Sequence, residues 1–236
     1  MDPQKIVAFI QSLAHNWMAA ISDPQSYLQP HFLPDDARIA QGLTFYLLMA
    51  GISLLFLLGI ALGHQGEWSA KWKIVANGLL TIVSSGITAM IWFLPFKWFG
   101  GNSDLAGTYL AMAYGSGPYI PLITFCTLLS FSGYPPRARL YAMNPATVQK
   151  ALKLAEGDPN TSQGAIFSGC LLMAVVVIFS IRATLKCMAY VHTLHGWRLA
   201  GAVSLSILLF IPVNLGLQKI TIMFMPDPGE PAAEGN

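Results

Sequence analysis

Arg182 and Lys186 are the charges placed most unusually for chemistry. Arg182 follows 23 residues (Pro159–Ile181) without Asp, Glu, Lys or Arg, and Lys186 stands one helical turn beyond it. An ionisable residue inside a long apolar run either snorkels to a membrane interface through its alkyl stem or binds a partner within the bundle. The nearness of Lys186 favours the first reading. A buried Arg182 would instead meet an anionic lipid headgroup or a carboxylate such as Asp104. The run Tyr114-Gly115-Ser116-Gly117-Pro118-Tyr119-Ile120-Pro121 holds two glycines and two prolines within eight residues. Proline removes a backbone donor and clashes with the preceding turn, so a regular helix is disfavoured there. Carbonyls freed in this way serve transporters as ion or substrate ligands. The alternative is a kink whose carbonyls neighbouring helices satisfy, which the absence of an accompanying acidic residue favours.

Cys187, His192 and His195 raise the question of a metal. Two histidines three apart share a face on a continuous helix. Without a carboxylate or a second motif they fall short of the four ligands of structural zinc, and interfacial histidines are the reading we adopt, with no metal and no cofactor. The sequence has no P-loop, no HExxH, no Gly-x-Ser-x-Gly and no intramembrane carboxylate pair. It is read as non-enzymatic.

The elements that carry these residues follow from charge spacing. Of 236 residues, 54% are hydrophobic and 10% charged, against about 25% charged in a soluble domain. That deficit suits a surface facing lipid. Crossing the hydrocarbon core takes about 20 apolar residues as helix. Five charge-free runs meet that length, and they predict transmembrane helices over 43–63, 74–95, 106–131, 166–189 and 198–217. The fold class is therefore all-α, a polytopic bundle of five spans. Strands of a membrane barrel would alternate apolar and polar residues, whereas Leu54-Leu55-Phe56-Leu57-Leu58 is apolar on every side.

Three segments lie outside the spans. Residues 1–42 contain an amphipathic helix over Gln4–Ile21, with Ile6, Phe9, Ile10, Leu13, Trp17 and Ile21 on one face. It is read as interfacial, the alternative being a helix packed on the bundle's own loops. The polar insertion 132–163 carries Pro135-Pro136-Arg137-Ala138-Arg139 and a short helix, with Asn144 as cap, Pro145 at its first position and Gly157 at its end. The tail 218–236 is read as partly disordered after Met225. No cleavable signal peptide is evident, so the first span is expected to act as the targeting signal.

Net charge is +2 and no basic cluster resembles a nucleic-acid footprint. Cys126, Cys170 and Cys187 are read as small core residues, not disulfide partners. Gly59-Ile60-Ala61-Leu62-Gly63 is a GxxxG pair suited to close packing within the bundle or between two copies. With five spans, six Lys/Arg fall on one side (Lys5, Arg38, Lys97, Arg182, Lys186, Arg198) and seven on the other. The positive-inside rule therefore leaves the orientation undecided.

Three motifs resemble the Yip1 family of five-span membrane proteins. Gly100-Gly101-Asn102-Ser103 follows the aromatic-rich end of the second span, and Tyr114-Gly115 and Pro118 come next. Asp23–Phe32 is similar to the short proline-and-aromatic segment ahead of that family's first span. His195-Gly196-Trp197-Arg198-Leu199-Ala200 is similar to its junction between spans four and five. The resemblance covers roughly residues 20–217. It implies a membrane-embedded role in binding other membrane proteins or lipids, as a complex subunit, assembly or organising factor. Gly100, Gly101, Tyr114, Gly117, Pro118, Arg182 and His195 are the candidate functional residues. The motif linked to binding Rab-type GTPases is missing from the 42 residues before the first span, and the insertion 132–163 is longer than the family pattern. The closer likeness is to bacterial Yip1-domain proteins, which places the chain in a bacterial cytoplasmic membrane, the alternative being the ER or Golgi. A membrane-protein partner or a second copy of the chain is implied. The second functional reading is a small oligomeric transporter or channel built on the broken third span and Arg182.

Overall fold

The computed structural model describes residues 3–29, 37–63, 86–135, 138–139, 142 and 148–223, and every regular element among them is helical. The elements are α1 (Pro3–Ser22), α2 (Pro24–Leu28), α3 (Ala37–Gly63), α4 (helical over 86–98), α5 (Leu105–Ser116), a 3-10 turn (Gly117–Tyr119), α6 (Ile120–Ser132), α7 (Val148–Ala155), α8 (Gln163–His192) and α9 (Gly196–Met223). The all-α class is thus observed. Four of the five apolar runs expected to cross a membrane fall on described helices. Residues 74–85 of the second lie outside the described residues, as do Asn144 and Pro145, the segment 30–36 and the tail after Met225.

Two helices are long and apolar enough to cross a membrane, α8 and the Gly196–Leu217 stretch of α9. In the apolar 18-residue window of each, only 11% is buried. Phe167 (69%) and Ile178 (65%) of α8 stand exposed, and so do Leu208 and Ile211 of α9. The core helix of a water-soluble domain hides its apolar stripe against neighbours. These two helices leave theirs uncovered.

The chain divides into two compact units. The first comprises 1–49, 89–120 and 176–206. Its core gathers Leu28, Phe96, Leu110, Tyr114, Met188 and Val191. Phe45 stacks on Tyr114 at 4.5 Å between ring centroids, and Tyr27 meets Tyr114 edge-on at 5.6 Å. Helix α5 reaches α8 through Gly115, where an added Cβ would lie 2.5 Å from Thr184 Cα. Asp23 caps α2, accepting from Ser26 N at 3.3 Å.

The second unit comprises 50–88, 121–175 and 207–236. Here α6 and α8 touch at Gly169, whose added Cβ would lie 2.6 Å from Ser130 Cα. Short hydroxyl contacts run along the same helices. Thr124 Oγ1 donates to Ser53 Oγ of α3 at 2.9 Å, and Thr127 Oγ1 to Met173 Sδ at 3.7 Å. In a low-dielectric setting such small and hydroxylated contacts hold helices together. The insertion folds onto this unit. Ser162 N donates to Gly133 O at 2.8 Å, and Ala151 and Ala155 of α7 pack on Tyr134 and Ala138. Gly157 takes φ +76 just past α7, which matches its expected role as a helix terminator.

One expectation from the sequence is corrected here. Cys126 and Cys187 are buried, but Cys170 is exposed on α8, because its side of that helix is the uncovered one. Among the described residues, Gly59 makes no close helix contact. An added Cβ there meets nothing within 4 Å. Gly115 and Gly169 are among the described glycines that do pack tightly against a facing helix.

Candidate functional site: a clasp of helix ends around His192

The loop after α4 and the turn between α8 and α9 come together in the first unit. Each begins as a Schellman cap, in which a left-handed residue lets the chain turn back on the last carbonyls of its helix. Gly100 has φ +90, with Gly100 N bonded to Lys97 O at 3.1 Å and Gly101 N to Phe96 O at 2.9 Å. The α8 end repeats the pattern with a threonine. Thr193 has φ +53, Thr193 N bonds Tyr190 O at 3.3 Å and Leu194 N bonds Ala189 O at 3.2 Å. A left-handed β-branched residue is strained by roughly 1–2 kcal/mol, and it persists only where surroundings fix it. Asn102 supplies the fixture. Its side-chain amide donates to Thr193 Oγ1 at 2.9 Å, and its backbone N–H donates to His192 O at 3.3 Å.

His192 fills the centre of the clasp and is fully buried, 0% exposed. Its ring sits 5.0 Å from that of Phe96. Its Nε2 lies 2.9 Å from Thr108 Oγ1, which is itself 2.8 Å from Asp104 O. A hydroxyl has one proton to give. If that proton goes to Asp104 O, then His192 donates from Nε2 and leaves a bare lone pair at Nδ1. The reverse assignment would strand a buried N–H at Nδ1, because that atom has no hydrogen-bond partner. Orphaned buried donors are rarer than under-used acceptors, so the network assigns the Nε2–H tautomer. Nδ1 faces Gly101, and a Cβ on that residue would collide with Nδ1 and lie 2.7 Å from Phe96 O. Gly101 is therefore required by the close approach of the ring. Asp104 completes the loop as N-cap of α5, accepting from Gly107 N at 2.7 Å. Beyond the clasp, Arg198 lies over its neighbour Trp197 at 5.7 Å, and Phe99 packs edge-on to Trp197 at 6.2 Å.

The structure thus joins Gly100 and Gly101 to the turn that leads into His195-Gly196-Trp197-Arg198. His195 itself is exposed and outside the helix. The shared helical face assumed for a metal does not exist, since α8 ends at His192. Among the described residues no three His, Cys, Asp or Glu side chains gather in a way that would hold a metal ion.

Tyr114, Gly117 and Pro118 form a second group. The break is one tightened turn between two helices, in line with the kink reading. Ile120 N bonds Gly117 O in 3-10 fashion, a shorter ring that accommodates the missing donor of Pro118. The Pro118 carbonyl is taken by Trp17 Nε1 at 2.6 Å, and Tyr119 Oη donates to Ile21 O at 3.4 Å. Helix α1 is thereby latched onto the turn, with Ala20 fully buried and Trp17 and Ile21 half-buried. Of its expected apolar face, the side chains of Ile6, Phe9, Ile10 and Leu13 lie outside the described residues. Gly117 is buried against Phe45, an added Cβ there lying 3.1 Å from the ring.

Arg182 belongs to neither group. It is exposed on α8, not buried in the bundle, and pairs with no carboxylate among the described residues. Thr108 and Thr193 had no signal in the sequence that would single them out, and Asn102 stood there only as part of the Gly100–Ser103 turn motif. His192 had one only as a possible ligand, and its structural place depends on a glycine 91 positions earlier.

Comparison of the chain with protein-family models, with curated proteins and with solved structures finds no match in any of the three.

Proposed function

We propose that this chain is an integral membrane protein of Yip1-like, five-span design that works by binding other membrane proteins or lipids. The observation that carries the reading is the uncovered apolar surface of α8 and α9, of which 11% of each window is buried. Each exposed Leu, Ile or Phe left in water forgoes about 1.5–3 kcal/mol, and a row of them on two helices needs a covering of hydrocarbon. The two helices lie far from the N-terminus, unlike a signal sequence. A binding role in place of catalysis is supported by what the polar groups do. Asn102, Asp104 and Thr108 spend their hydrogen bonds on helix ends, and His192 is closed to solvent. The carbonyl that a transporter site would offer at Pro118 is occupied by Trp17. The bacterial cytoplasmic membrane as the location rests on the resemblance of the loop and turn motifs.

The test is purification of tagged protein at native expression in nanodiscs, with mass spectrometry of what accompanies it. A stoichiometric membrane partner, lost when the 132–163 insertion is altered, is the expected outcome. Recovery of the chain alone, together with substrate flux in liposomes that Pro118→Ala abolishes, would overturn the binding reading in favour of transport.

A further inference from the structure

Along α8 the surroundings change at one residue. Up to Ile181 the helix shows exposed apolar side chains, including Phe179 and Ile181 themselves. From Ala183 to His192 six of ten residues are buried and Lys186 alone is exposed. Arg182 and Lys186 stand at this change, one turn apart, both exposed and therefore on neighbouring parts of one face. The largely exposed run from Gly164 to Ile181 has 18 residues, which as helix is about 27 Å, close to the ~30 Å of a hydrocarbon core. Its other end is marked by exposed Asn160, Ser162 and Gln163. A helix seated between these limits puts both cations at the phosphate level of one leaflet, on the side that lipid covers.

From this we infer that Arg182 and Lys186 form a binding site for the headgroup phosphate of an anionic phospholipid in the bilayer. The inference rests on the membrane reading given above. Arg182 has no carboxylate partner among the described residues, and its guanidinium fork matches two phosphate oxygens. Lys186 adds a second, compact charge. Asp23 is within electrostatic reach of Lys186, but its carboxylate is engaged with Ser26 as the cap of α2. The acyl chains of the same lipid would lie along Ile178, Phe179 and Ile181.

The test uses the full chain in nanodiscs of phosphatidylcholine alone or mixed with phosphatidylglycerol, with native mass spectrometry of the lipid retained. Wild type is expected to hold phosphatidylglycerol in preference. Arg182→Gln and Lys186→Gln should each lower its retention about fivefold, from about 1 kcal/mol per cation near the surface. The swap Arg182→Lys with Lys186→Arg should keep most of it, and Lys150→Gln with Lys153→Gln on α7 should leave it unchanged. Equal retention of the two lipids by wild type, or loss on the α7 variant to the same extent, overturns the site while leaving insertion intact. Failure of wild type to enter the bilayer at all would overturn the membrane reading and the site with it.

Discussion

At the scale of single residues, the clasp around His192 is where one atom decides most. Gly101→Ala would set a methyl against the imidazole and the Phe96 carbonyl. The carbonyl is backbone and cannot step aside, so a cost of about 2–3 kcal/mol is expected, visible as a lower melting temperature in detergent. Gly100→Ala would meet only the end of the Arg198 side chain, at an ordinary 3.8 Å, but has φ +90, so it should lose the left-handed preference, about 1–2 kcal/mol. Thr108→Val keeps the shape and removes the hydroxyl, leaving the His192 N–H without an acceptor. That should cost about 1–3 kcal/mol, while Thr108→Ser should restore most of it. Asp23 gives a pH signature. Hydrogen bonds from Ser26 hold its carboxyl below the usual carboxylate range. A depressed folded pKa means stability that is present above the unfolded value, near 3.9, and lost as pH falls through the folded one. Chemical denaturation from pH 6 downward should show this loss in wild type and lack it in Asp23→Asn. The sequence marked Gly100 and Gly101 through the turn motif. It did not show why the second had to be glycine, because the reason is a ring brought in from α8.

At the scale of elements, close helix packing separates two kinds of glycine. Gly115→Ala and Gly169→Ala would each place a methyl within 2.5–2.6 Å of a facing Cα, so α8 must move away from α5 or α6. Either change should lower the melting temperature by several degrees, at about 2–4 °C per kcal/mol for a chain of this size. Gly51→Ala and Gly59→Ala, inside α3 with nothing within 4 Å, should not lower it, because alanine is the better helix former. The order was not readable from the chain, where Gly59 and Gly63 carried the recognised spacing and Gly115 and Gly169 carried none. Helix existence, by contrast, was readable, because charge-free length and apolarity set it locally. The Tyr114–Pro121 break follows the kink reading, but the group that satisfies it was not legible. Glycines and prolines showed that regular bonding must lapse, but the remedy lay in Trp17, about a hundred positions earlier. Trp17→Phe should therefore speed hydrogen exchange at Tyr119–Leu122 and at the end of α1. No change in either segment would show that the latch is not what closes the turn.

At the scale of the whole molecule, the account turns on what covers α8 and α9. Composition pointed the same way, since 10% charged residues is well below the share of about 25% in a soluble domain. The structure adds that these helices leave many apolar side chains exposed while Ser180, Thr184 and Ser206 are buried. The proposed binding role has no sequence signature, because residues that recognise another membrane protein need no special type or spacing. The most direct measurement is spin-label accessibility along α8 in nanodiscs. Cys126, Cys170 and Cys187 are first replaced, and single cysteines are then placed at Phe167, Leu171, Val175 and Ile178, with another at Lys186. The account predicts that the first four positions collide with oxygen and are shielded from a water-soluble nickel complex, and that Lys186 shows the reverse. Nickel access at Leu171 and Val175 equal to that at Lys186 would mean that water covers this face, and would contradict the account.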